Sequence, residues 1–166
     1  LFADFQMQSV WGMHNWPGLP AGEIAVSEGA SMASADHFEM TVTGRGGHAA
    51  MPHQAADPVV AAAAIVQSLQ MLVSRQTNPV DSAVMSITMI HGGSAFNVIP
   101  DEVTLSGTAR AFRPETRARL EESLREVSAL TAKVHGCSVE IDWRVGYPPT
   151  VNHKTEAGRA ADVARS

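Results

Sequence analysis

Apolar and polar residues alternate through Phe38-Glu-Met-Thr-Val-Thr43, the period-two pattern of a strand with one buried face. Beyond a glycine-rich turn the period changes. Asp57-Pro58 offers an N-cap and a first-turn proline, and Val59, Ala62, Val66, Leu69 and Val73 recur every three or four residues, which predicts a helix over 58–74 that Asn78-Pro79 stops. The uncharged run Ala83–Ile90 predicts a second strand, and Val103–Arg110, reached through the loop His91–Pro100, a third. A second helix starts near Pro114. It sets Leu120, Leu124, Val127, Leu130 and Val134 on one face and Glu121, Glu122, Arg125 and Glu126 on the solvated one, with Gly136 as C-cap. Val139–Val145 alternates again and predicts a fourth strand.

The order β-α-β-β-α-β with two right-handed crossovers implies an α+β, ferredoxin-like unit: a four-stranded antiparallel sheet with two helices on one face. Its edges are the second and fourth strands. The fourth carries Glu140, Asp142 and Arg144, charges that discourage pairing with another chain, whereas the second carries none. The strand 83–90, with the helix 58–74 beside it, therefore reads as a homodimer seam; an edge covered by a loop is the alternative. The segments outside this unit, 1–36 and 147–166, read as two pieces of a neighbouring domain interrupted by the unit at 37–146.

Composition narrows the class. Of 166 residues 45% are apolar, enough for a real core, and a net charge of -5 without a basic run argues against a nucleic-acid partner. The longest apolar stretch, Pro58–Val66, is too short to span a bilayer, so no membrane partner is expected, and no secretory signal is visible. The single Cys137 excludes an internal disulfide framework and a cysteine-rich metal site, making a cytoplasmic location the expectation. The chain opens on Leu1 and closes on a charged, helix-like run, so both ends look cut.

Four places could carry chemistry. Gly44-Arg-Gly-Gly-His-Ala-Ala-Met-Pro-His53 puts His48 and His53 in a turn whose three glycines allow positive φ and close backbone approach, presenting the imidazoles to a ligand. His14, before Asn15-Trp16-Pro17, sits at a strand-to-loop exit where a neutral imidazole could bind a divalent metal, or could simply pack beside the tryptophans. Asn97 could donate its amide to a carbonyl oxygen or close an Asx-turn. Arg110 ends a strand, and its planar fork suits a carboxylate, in a substrate or in an ion pair.

In sequence order, GMHNWPGLPAG, GRGGHAAMPH, GGSAFNVIPDEVTLSGTARAF and a Pro-Pro-x-x-Asn turn closely resemble the metal-dependent amidohydrolases and carboxypeptidases of the aminoacylase, hippurate hydrolase and indole-acetyl-amino-acid hydrolase group. The resemblance runs over essentially the whole chain. It implies a zinc-peptidase-like α/β catalytic domain with an inserted ferredoxin-like lid that dimerises. It also implies amide hydrolysis of N-acyl amino acids by water activated on one or two divalent ions (zinc, manganese, nickel or cobalt). By the same resemblance His14 matches a metal ligand, and His48 the lid histidine that reaches into the partner subunit's active site and helps stabilise the oxyanion. Asn97 matches a substrate-contacting lid asparagine and Arg110 an arginine that holds the substrate carboxylate. No role passes to His53 beyond a structural one.

The chain departs from the family in lacking the paired Cys-x-His or His-x-Asp metal motif, the Glu-Glu dipeptide and the late histidine ligand; Glu121-Glu122 lies on the polar face of a lid helix. One histidine cannot hold a catalytic metal, which needs about three protein ligands. The expectation is a fragment, comprising the lid and adjoining slivers of the catalytic domain, that binds no metal stably and is inactive alone. The alternative is a standalone, non-catalytic ferredoxin-like module for dimerisation or small-molecule binding.

Overall fold

A computed structural model describes residues 4–166. Along it run β1 (Gly29–Met32), β2 (Asp36–Thr43), β3 (Gly47–His48), a 3-10 turn (Pro52–Gln54) and α1 (Pro58–Ser74). Then come β4 (Ala83–Gly92), β5 (Val98–Ile99), β6 (Glu102–Ala111), α2 (Pro114–Val134), β7 (Ser138–Arg144), β8 (Thr150–Asn152) and α3 (Lys154–Arg165). The four long strands form one antiparallel sheet in the order β4-β6-β2-β7, so the expected α+β ferredoxin-like topology is present, with β4 and β7 at the edges. β1 pairs with β8, and β3 with β5, in two small separate ladders.

Alternation along β2 sends Phe38, Met40 and Val42 to the helix-covered side, where they are buried with Leu105 of β6, Ile65, Leu69 and Leu72 of α1 and Leu124 of α2. Phe38 stacks on Trp143 of β7, with ring centroids 5.8 Å apart. α1 packs over the β4 and β6 half of the sheet, and α2 over β7 and β6. Asp57 caps α1, its Oδ1 accepting from the N–H groups of Val59 (2.8 Å) and Val60 (3.4 Å). Gly136, at φ +69°, closes α2 in the left-handed conformation expected of a C-cap glycine.

Both helices bury most of the face their spacing suggests, with Ala62, Leu69, Leu120 and Leu124 in the core and Val66, Val73 and Val127 packed against it, but each face is shifted at its ends. α1 buries Pro58, Ala61, Ala62, Ile65, Leu69 and Leu72, leaving Val59 and Val60 about half exposed. Its first half is apolar all round, so periodicity there does not select a face. α2 buries Leu120, Leu124, Ser128 and Ala132, while Leu130 and Val134 face solvent. Leu130 lies six residues beyond Leu124, roughly 240° around the helix at 100° per residue, so it cannot share that stripe. Ser128 continues the four-residue spacing of Leu120, Leu124 and Ala132 on the inner face, where its hydroxyl meets the Met40 sulfur at 3.5 Å.

The chain enters and leaves the sheet at one corner, held by a buried ion pair. Arg117 of α2 donates from Nε to Asp36 Oδ2 (2.7 Å) and from Nη2 to Oδ1, and the Gly146 N–H donates to Oδ1 at 2.9 Å. Arg117 also donates to the Gly146 carbonyl at 3.0 Å. A Cβ at Gly146 would stand 1.9 Å from the Ala35 carbonyl oxygen, so only glycine lets the outgoing strand pass the incoming one this closely. No helix among the described residues is long and apolar enough to cross a membrane.

Candidate functional site

The glycine-rich turn lies at the end of the sheet where β2 stops and β6 begins, since Thr43 pairs with Glu102. Asp101 organises it: the Gly44 N–H donates to the Asp101 carbonyl and the Gly46 N–H to the Asp101 carboxylate, both at 2.8 Å. Arg45 and Ala56 exchange backbone hydrogen bonds at 2.9 Å across the loop base. The expectation of positive φ at these glycines is not met, because no glycine from 44 to 47 adopts it. Close approach is what they provide. A Cβ on Gly44 would lie 2.1 Å from the Ala56 carbonyl oxygen, and one on Gly46 2.5 Å from that of Ile99.

Within this frame β3 pairs with β5, placing His48 opposite Val98, and the Ala49 N–H donates to the Asn97 carbonyl at 3.0 Å. The fold thus brings His48 and Asn97 together at one exposed rim. The Ala50 N–H donates to His48 Nδ1 at 3.1 Å. A neutral imidazole accepting at Nδ1 carries its proton on Nε2, so the exposed ring presents an N–H donor outward. Asn97 makes no side-chain hydrogen bond among the described residues, so the Asx-turn is not formed. His53 stands exposed in the 3-10 turn.

Arg110 lies elsewhere. It sits near the opposite end of β6, paired with Val84, on the sheet face that no helix covers, and it has no ion-pair partner among the described residues. Eight residues of strand separate it from Glu102, roughly 25 Å at the usual rise. A single chain therefore cannot put Arg110 and the His48–Asn97 rim on one small molecule. His14 is exposed in an irregular segment, its Nδ1 3.2 Å from the Asn15 carbonyl oxygen and its ring edge-on to Trp16. Among the described residues no three His, Cys, Asp or Glu side chains gather closely enough to hold a metal ion.

Two contributors escaped the sequence reading. Asp101 anchors the histidine loop, which only the pairing of β2 with β6 reveals. His37, in β2, shares a cavity with Arg110 on the uncovered face; its polar position in an alternating strand was the available signal.

The β4 edge pairs with β6 alone and bulges between Ile87 and Met89. Met89 and Ile90 are about half exposed, as are Val59 and Val60 of α1.

Comparison with known proteins places this geometry. The peptidase dimerisation domain model matches residues 33–136. An IAA-amino acid hydrolase of Arabidopsis thaliana is 45% identical over 152 residues, covering 89% of this chain and 34% of the relative. The N-acetylcysteine deacetylase of Bacillus subtilis is 40% identical (95% and 42% covered), and the hippurate hydrolase of Campylobacter jejuni 37% identical (99% and 43% covered). The chain thus spans about a third to two-fifths of the length of these curated relatives. Among solved structures, a putative aminohydrolase from methicillin-resistant Staphylococcus aureus superposes with a TM-score of 0.81 at 27% identity, covering 90% of this chain and 40% of that one. A dinuclear metal binding peptidase of the M20 family from Bacillus subtilis gives 0.70 at 36% identity, covering 93% and 37%. With the family match covering residues 33–136, more than half of its length, this chain belongs to the M20 peptidase dimerisation-domain family.

Proposed function

We propose that this chain is the lid and dimer contact of a cytoplasmic, metal-dependent amidohydrolase that cleaves the amide bond of N-acyl amino acids, and that it is inactive alone. Residues 37–146 form the lid; 1–36 and 147–166 belong to the catalytic domain, where His14 joins a metal site completed by residues outside this chain. The relatives named above act on IAA-amino acids, hippurate and N-acetylcysteine, all of them N-acyl amino acids.

The separation of the His48–Asn97 rim from Arg110 carries this reading. In a two-fold dimer, identical edges pair antiparallel. Joining two β4 strands in that way lays the rim end of one subunit beside the Arg110 end of the other. His48 and Asn97 of one subunit then serve the same substrate as Arg110 of its partner. His48 donates from Nε2 to the oxygen that becomes negative as the carbonyl is attacked, Asn97 donates to the acyl end, and Arg110 holds the carboxylate.

Complementation tests the arrangement in the full-length protein. His48→Ala and Arg110→Ala homodimers should each be nearly inactive toward an N-acyl amino acid. Equal mixing by co-expression should recover about a quarter of wild-type activity, because half the dimers are mixed and each mixed dimer keeps one intact site. If mixing restores nothing, or both single variants stay fully active, the shared site is wrong; if the wild type turns over no N-acyl amino acid, so is the amidohydrolase reading.

The seam has its own test. Ile87 is half-buried against the core, so a charge there would report on folding and not on association. Val60→Glu combined with Ile90→Lys puts charges on two exposed seam positions and should give monomers by light scattering. A dimer of unchanged stability would place the interface elsewhere.

A further inference from the structure

The uncovered face of the sheet holds a cavity of about 320 Å³ whose lining includes His37, Glu39, Ser106, Thr108, Arg110 and Arg144. Most polar groups in it are already engaged. The Thr108 hydroxyl donates to the Asp36 carbonyl at 2.8 Å, the Ser106 hydroxyl faces Glu39 Oε2 at 3.5 Å, and Arg144 Nε donates to Asp142 Oδ2 at 2.7 Å. Among the described residues His37 and Arg110 have neither a side-chain hydrogen bond nor an ion pair.

Register puts these two side by side. His37 pairs with Thr108, so Arg110 is its diagonal neighbour on the same face, roughly 7–8 Å away between backbones and within reach of a long side chain. On the other flank His37 faces Arg144, whose charge Asp142 offsets. A guanidinium fork and an imidazole thus line one cavity, neither hydrogen-bonded to an acceptor among the described residues, while the Glu39 carboxylate beside them faces Ser106. A carboxylate has two oxygens with about four lone-pair sites, enough to take both forks of an arginine and one further donor. A primary carboxamide has one oxygen and turns an NH2 group toward the guanidinium.

We propose that His37 is a specificity-determining residue that grips the free carboxylate of the substrate together with Arg110, making this face of the lid the surface that selects acids over their amides. The proposal rests on the amidohydrolase reading above.

The test uses the full-length protein with N-acetyl-L-alanine and N-acetyl-L-alaninamide as paired probes. His37→Ala should raise KM for the acid about five- to tenfold, with a smaller effect on kcat, and leave KM for the amide unchanged. His37→Gln, which restores an N–H donor, should recover part of the loss. An unchanged acid KM, or an equal effect on both probes, would overturn the proposal, the latter by showing a merely structural role. Calorimetric binding of the same probes separates the two readings. If neither probe is hydrolysed, the amidohydrolase reading fails, and the carboxylate grip stands only if wild type binds the acid at least fivefold more tightly than the amide and His37→Ala abolishes that preference.

Discussion

In the full-length protein, His48→Ala is expected to lower kcat for an N-acyl amino acid about a hundred- to a thousandfold, with KM and bound metal close to wild type. The expectation rests on preorganisation. The Ala50 N–H occupies Nδ1, so the Nε2 proton is directed outward before substrate arrives. The ring is carried on a loop held by Asp101 beneath Gly44 and Gly46 and by the ladder between β3 and β5. A donor fixed in this way needs no reorganisation as charge develops, which is where its effect falls on kcat and not on KM. His48→Gln retains an N–H donor and should lie between alanine and wild type. Steady-state kinetics with parallel metal analysis decides the matter. Loss of metal in His48→Ala would make the residue part of the metal site and end the oxyanion assignment.

The same histidine shows how much of this protein is legible in its sequence. Alternation in β2 and β7, the Asp57-Pro58 start of α1 and the Gly136 stop of α2 are local signals, and the fold follows from them. That β4 ends the sheet was visible as well, and its run Ala83–Ile90 carries no charge. The inward faces of the helices were legible only in part: where Pro58–Val66 is apolar on every side the sheet chooses the face, and Ser128, a polar residue, lies on the buried stripe with Leu120, Leu124 and Ala132. Long-range pairing was equally invisible. Nothing in the local pattern tells that Asp101 anchors a loop 55 residues earlier, or that Arg110 and His48 lie at opposite ends of one sheet. Their separation is what the proposal of a site shared between two subunits rests on.

The corner where the chain enters and leaves the sheet carries the largest expected effect on stability. Asp36 is 1% exposed and Arg117 21%, so removing either partner leaves a buried or half-buried charge uncompensated. Asp36→Ala should destabilise the fold by about 3 kcal/mol and Arg117→Ala by about 4 kcal/mol, read from urea unfolding at neutral pH. Their pH dependences should run in opposite directions. In the wild type, burial pushes the Asp36 carboxyl up, but the Arg117 hydrogen bonds, the Gly146 N–H and the Arg117 charge outweigh it and hold the group below its ordinary value. A carboxyl lowered on folding contributes stability above its unfolded pKa of about 3.9 and loses it as pH falls through the folded value. Wild type should therefore weaken below about pH 4, and Asp36→Asn should lack that part of the acid loss. With Arg117 removed, burial is opposed mainly by one backbone N–H, and the carboxyl should rise above its unfolded value. Arg117→Ala should then be least destabilised in acid and lose further stability as pH climbs from about 4 toward neutrality. If both variants instead keep the wild-type acid profile, Asp36 titrates alike in the folded and unfolded chains, and the clamp at Gly146 holds by geometry and not by charge.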